Sequence, residues 1–243
     1  MTNATHKPDF SERVDQLREY IFSQPSSTFE NNPLAVANAV ESFANTKGQM
    51  MIFRDAKLQV ARTQLEAQTP APRTILEFGT FVGKSALAWG AILREIHGEK
   101  ISGGINMYTF ELDPQMVALF RDLIKLAGLE NVVHVLEGPG SESLKKLHAE
   151  GKVTSVDMTF FDHWEEFYLP DLQLIEDLGL FQVGSLAIAD NTDFPGAPQY
   201  LKYVKDGGRG TTGSVKYEST SFETASRPGR PSIFEISKVV AVK

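Results

Sequence analysis

The chain has 243 residues, no cysteine and a formal charge of −7. That length suits one large α/β unit with a single core. The acidic balance argues against a nucleic-acid backbone or an anionic membrane as main partner, and the missing cysteines exclude disulfides and thiolate-bound zinc.

The opening residues, MTNATHKPDF, lack the apolar core of a signal peptide, and no apolar run approaches membrane-spanning length. The expectation is a soluble, cytoplasmic chain. Phe10, Val14, Leu17 and Ile21 recur at helical spacing behind Ser11 as a candidate cap. Pro33 opens a second helical pattern through Val36, Val40 and Phe43, and a third runs from about Asp55 to Glu66 before P-A-P at 70–72. From there short apolar runs alternate with amphipathic stretches. The strand candidates are 74–78, 106–111, 132–137, 156–162 and 185–190, with helices near 84–95, 114–127, 141–149, 168–178 and 197–205. Such alternation predicts a parallel sheet with helices on both faces. The tail differs: 214–221 and 232–239 are β runs with no helix between them, expected as an antiparallel pair at the sheet edge, and 206–213 reads as a mobile loop. The organisation expected is one domain, with residues 1–70 a helical cap and 71–243 an α/β core.

In such a sheet, ligands bind beyond the carboxyl ends of the strands. The first strand is followed by E-F-G-T-F-V-G-K-S (77–85), the second ends in F-E-L-D with Glu111, and the third in E-G-P-G-S (137–141). Gly79 and Gly83 permit a tight turn and close approach, and Glu111 is placed to bond vicinal hydroxyls. Together the three turns favour an adenosine-type ligand. The dinucleotide pattern G-x-G-x-x-G and the P-loop are both absent, which disfavours a nicotinamide oxidoreductase and NTP binding. The fourth and fifth strands end in Asp162 and in Asp190-Asn191. Two carboxylates and an amide suit a hard cation such as Mg²⁺. The competing reading is that both acids cap the helices that follow.

E-F-G-T-F-V-G-K-S, F-E-L-D-P, L-A-G-L-E-N-V, D-H-W-E-E-F-Y-L-P-D and A-D-N-T-D-F-P-G-A-P, with N-T-K-G-Q-M-M-I-F-R-D upstream, resemble the catechol O-methyltransferase family over most of the chain, from about Asn32. The resemblance implies a Rossmann-like seven-stranded methyltransferase sheet and an S-adenosyl-L-methionine- and Mg²⁺-dependent transfer of a methyl group to a hydroxyl of a catechol or related vicinal aromatic diol. By motif position, Glu77, Gly79, Phe81 and Ser85 would line the methionine part of the cofactor. Glu111, with Leu112 beside it, would bind the ribose; Gly138, Gly140, Ser141, His163 and Trp164 would flank the adenine; Met51 and Phe53 would cover it. Asp162, Asp190 and Asn191 match the metal ligands, Asp162 bordering the cofactor as well. Glu223 matches the acid that bonds the catechol, and Pro195 the substrate wall, with Met51 and Trp164 also facing substrate. A small-molecule acceptor and a monomer or weak dimer are expected, with neither nucleic acid nor membrane as partner.

Two positions depart from the family. Glu165 stands where the family has a lysine base, and Gln49 where it has a tryptophan over the catechol. Glu165 is therefore expected to act as a poorer base, to contact a different substrate, or to point to solvent with the site slow or served by another base such as His163. The alternative is a methyltransferase-fold protein that binds cofactor or metal with weak or lost turnover. A nucleic-acid methyltransferase would need a basic face that a chain of this charge does not predict.

Overall fold

The computed structural model describes residues 10–47, 50–98, 103–210, 214–227 and 230–242. Three helices come first: α1 (Ser11–Phe22), α2 (Pro33–Lys47) and α3 (Asp55–Glu66). Ser11 is not the cap of α1 as expected. It is the first helical residue, and Phe10 holds the cap position without a side-chain cap bond. The apolar spacing locates the helix well, and its first bond runs from Val14 N–H to Phe10 O, while the Phe10 ring packs against Phe81 at 5.1 Å. Pro33 opens α2 as its fixed φ favours.

Strands and helices then alternate: β1 (Thr74–Phe78), α4 (Lys84–His97), β2 (Asn106–Glu111), α5 (Pro114–Leu126), β3 (Val133–Glu137), α6 (Gly140–Ala149), β4 (Val156–Phe161), α7 (Tyr168–Asp177), β5 (Phe181–Ala189), α8 (Pro198–Lys205), β6 (Lys216–Arg227) and β7 (Arg230–Ala241). The seven strands form one sheet in the order β3-β2-β1-β4-β5-β7-β6. The first five are parallel, and β7 pairs antiparallel with both β5 and β6. The tail is thus the edge hairpin expected, with both strands longer than the apolar runs alone indicate.

Alternate strand residues face opposite layers, as a pleat requires. Ile75, Met107, Met158, Phe160 and Ile188 pack beneath α1–α5 with Trp89, Phe120 and Phe43. Leu76, Phe78, Phe110, Phe161 and Ala189 face α6–α8 with Leu144, Tyr168 and Tyr200. A strand buried on both faces has no packing use for an acid, which makes the carboxylates at strand ends informative. Strand order reverses between β1 and β4, and the carboxyl ends at this switch point carry Glu77 and Asp162. No described helix is long and apolar enough to cross a membrane.

Candidate active site

The turn after β1 is built by its own backbone. The Gly79 N–H donates to Phe110 O at 3.1 Å and Gly83 N–H to Thr80 O at 2.8 Å. Gly79 has φ +96°, and a Cβ there would lie 2.6 Å from the carbonyl oxygen of Asp162. Only glycine lets β1 and β4 deliver their ends this close together. Phe81 adopts φ 50°, and its N–H donates to Glu111 Oε2 at 2.7 Å. The other oxygen of Glu111 accepts from the N–H groups of Leu112 and Asp113, each at 2.9 Å. Glu111 thus joins the turn after β1 to the turn after β2, and Leu112 beside it is exposed.

Glu77 is fully buried, with Oε2 accepting from Thr109 Oγ1 at 2.6 Å. Its Oε1 finds no hydrogen-bond partner among the described residues. Burial pushes the carboxyl up to about 8, with the Thr109 and Ser85 hydroxyls opposing and the charge of Glu111 adding to the rise. A buried carboxyl with one open oxygen is matched by a cationic donor from a ligand. Ser85 is buried in the first turn of α4. After β3, Gly138 has φ 117° and open space where a Cβ would be, whereas a Cβ on Gly140 would strike the Phe78 ring at 2.6 Å. Gly138 is open to a ligand and Gly140 serves packing; Ser141 follows, partly buried, in α6.

The second group of residues lies beyond β4 and β5. Phe161 pairs with Ala189, so Asp162 and Asp190 leave adjacent parallel strands at the same level. Asp162 N–H donates to Phe78 O and Asp190 N–H to Phe161 O, which pins both to the sheet. Neither acid caps a helix: Phe167 precedes α7 and Ala197 precedes α8. Burial, then the charge of Asp190, raises Asp162 well above the usual carboxylate range, and Asp190 is raised as well, chiefly by burial. Asn191 follows in a left-handed conformation, φ 50°.

Lys57, which the sequence reading missed, holds this group together. It is buried in α3, and its Nζ lies 2.5 Å from Asp190 Oδ1 and 5.8 Å from the centre of the Phe53 ring. Its signal was present, since Lys57, Ala61 and Leu65 share the buried face of α3 at helical spacing. A lysine in that stripe needs a carboxylate partner, and the partner is 133 residues away in the chain. Tyr168 was missed too. Its hydroxyl is buried without a described partner, and burial, followed by the charges of Asp162, Asp190 and Glu165, pushes it well above the phenol range.

Around these acids the other expected residues divide. His163 Nε2 lies 2.8 Å from Asp171 Oδ2, and its ring stacks on Tyr168 at 5.2 Å. Trp164 is exposed and starts the 3₁₀ turn Glu165–Phe167, where burial raises the partly exposed Glu165. That turn contacts the turn Thr192–Gly196, which carries exposed Phe194 and Pro195. Glu223 is exposed on β6 opposite Ile233, whose N–H donates to Asp193 at 3.1 Å, so it borders the same turn. Met51 is exposed, while Phe53 is buried in the core between Phe160, Trp89 and Phe234. Gln49 lies outside the described residues.

Among the described residues, no group of three or more His, Cys, Asp or Glu side chains is arranged to hold a metal ion. The candidate set here is two acids and an amide, all hard oxygen donors, with Lys57 on one oxygen of Asp190. Such a set fits a cation that completes its coordination with water or substrate oxygens.

The methyltransferase domain family matches residues 76–192. Catechol O-methyltransferase of Bos taurus is 31% identical over 209 residues, covering 86% of this chain and 68% of that protein. The enzyme of the same name from Sus scrofa is 33% identical over 153 residues, 63% of this chain and 77% of that one. In fold, the chain is similar to the O-methyltransferase from Bacillus cereus, solved in complex with SAH (TM-score 0.61, 20% identity, 94% of this chain and 97% of that one). It is also similar to TomG from Streptomyces achromogenes, solved in complex with SAM (TM-score 0.64, 19% identity, 96% and 100%). Seven-stranded order, strand-end acids and these relatives converge: the chain belongs to the catechol O-methyltransferase family and is an O-methyltransferase.

Proposed function

We propose that this chain is an S-adenosylmethionine- and Mg²⁺-dependent O-methyltransferase acting on a catechol or a related vicinal aromatic diol. The observation that carries the proposal is the pairing of two unlike sites across Gly79. On one side lies the glycine turn with the open oxygen of Glu77; on the other, Asp162 and Asp190 converge with Asn191 beside them. Glu77 would hold the cofactor's ammonium, Glu111 its ribose hydroxyls, and the turn at Gly138 its adenine. S-adenosylmethionine supplies an electrophilic methyl group. Asp162, Asp190 and Asn191 would hold the divalent cation, which favours the ionised form of an aryl hydroxyl.

Methyl transfer is an in-line displacement, so the protein's part is orientation and exclusion of water. Met51, Trp164 and Pro195 supply an apolar rim, and Glu223 is an acceptor for a second hydroxyl. Asp190 is neutralised in part by Lys57, which keeps the paired acids from repelling a nascent oxyanion at full strength.

Glu165 gives a second reading its footing. A carboxyl is a weaker base than the amine the family has there, although burial raises it above its ordinary value. The chain would then bind cofactor and metal with slow turnover. Transfer of a labelled methyl group across a panel of catechols, with Mg²⁺ or with a chelator, tests both readings. The proposal expects chelator-sensitive product; product that survives the chelator overturns the metal assignment, and cofactor binding without product supports the second reading. If Glu165 replaces a base, Glu165→Lys raises the rate, up to the roughly 10²-fold that a positioned base contributes. An unchanged or abolished rate removes that role from Glu165.

A further inference from the structure

Lys84 is the first residue of α4, directly after the glycine turn, and its side chain is 1% exposed. The position has no local justification. A cation in the first turn of a helix opposes the macrodipole, and an aliphatic side chain would suit the apolar run Ala86 to Trp89 better. Its partners come from elsewhere. Lys84 Nζ lies 2.9 Å from Glu41 Oε2 on α2 and 2.5 Å from Asp55 Oδ1, the first residue of α3. Glu41 Oε2 also accepts the Asp55 N–H at 3.3 Å. One ammonium thus joins the starts of α3 and α4 to the middle of α2.

The two ends of this contact differ in what else holds them. The α4 side is fixed by Gly83 to Thr80 and Phe81 to Glu111 bonds. The start of α3 has its own helix bonds, Lys57 and Leu58 N–H to Arg54 O, and side-chain bonds to α2, Asp55 N–H to Glu41 and Arg54 to Asn45, while its Asp55 side chain is 50% exposed. That same turn carries Lys57 into Asp190. We infer that Lys84 is a positioning residue: it latches the first turn of α3 onto the cofactor turn, and so keeps Lys57 registered on the acid pair. The catalytic part of this inference rests on the function proposed above.

Hydrogen exchange on the chain without cofactor or metal tests the latch directly. Lys84→Met is expected to accelerate exchange of the Lys57 and Leu58 amides by about tenfold or more, leaving β1 and α4 unchanged, because local opening follows local contacts. Lys84→Arg restores protection. Uniform acceleration across the chain, or none at 57–58, overturns the inference. If Lys84→Met does not fold, Asp55→Asn removes the same ion pair at a half-exposed position and is read the same way. In methyl-transfer assays, Lys84→Met lowers kcat about tenfold, as misplacement does, with the cofactor Kd within about threefold and an effect non-additive with Lys57→Met. Additive effects overturn the coupling to Lys57. The exchange assay needs no acceptor. Accelerated exchange in a chain that methylates no catechol would sink the functional reading and leave the latch standing.

Discussion

The carboxyl edge of the sheet has two halves that are held in different ways. Beyond β1, β2 and β3 the chain organises itself: neighbouring backbone N–H groups satisfy Glu111, and glycines allow the close turns. Beyond β4 and β5 the acids crowd together in partial burial, and relief comes from a lysine on a helix that precedes the sheet. The first half is held mainly by main-chain donors of the turns themselves and of the adjoining strand ends. The second is an electrostatic compromise whose components are distant in sequence.

Lys57→Met should break this contrast most severely. Removing one partner of a buried ion pair costs about 3–5 kcal/mol, and here it leaves Asp190 buried beside Asp162. Denaturant unfolding measures the loss, and added Mg²⁺ should raise the melting temperature of the variant more than that of the parent chain. Equal shifts would show that the acid pair does not take the cation.

Glu77 tests the other half. Its carboxyl keeps its proton up to about 8 when folded, against an ordinary value of 4.5. Between those values the folded chain binds more protons than the unfolded one, so stability falls as pH rises through that window. The loss is on the order of 5 kcal/mol. Glu77→Gln should flatten this part of the pH–stability curve and match the parent chain near pH 4.5; an unaltered slope would mean the titration belongs elsewhere.

Gly79→Ala should be smaller, about 2 kcal/mol, since it adds a Cβ at positive φ against the Asp162 backbone and must shift β4 relative to β1. This substitution touches both halves, so cofactor and metal affinity should fall together. If only cofactor affinity falls, the halves are less coupled than their shared backbone contact implies. Glu223→Gln sits at the bottom of the scale. On an exposed strand position it should change stability by less than about 0.5 kcal/mol, while raising the acceptor KM by roughly fivefold, the worth of one hydrogen bond.

The difference between the halves also explains what could be read early. The bounds of β1 and β2 follow from apolar runs that stop at Phe78, just after Glu77, and at Glu111, because burial on both faces leaves no ambiguity about where a strand stops. The edge hairpin was legible in kind but not in length: β6 runs Lys216–Arg227, and many of its residues are polar because one face and one edge meet solvent. The start of α1 differs by one residue from the Ser11 cap expected, because Phe10 takes the cap position with no side-chain cap bond. Lys57 was passed over because a lysine is ordinarily solvated, and only its register with Ala61 and Leu65 signals otherwise.

By itself, the sequence determined the alternating α/β order, the acids at the strand ends and the family, because hydrophobic period and strand-end chemistry are local properties. The tertiary structure decided that Gly79 abuts Asp162, that Lys57 bonds Asp190 and that Lys84 gathers Glu41 and Asp55. Those contacts join residues from 29 to 133 positions apart. A buried charge selects its partner by proximity in the folded chain, and no local pattern encodes that distance.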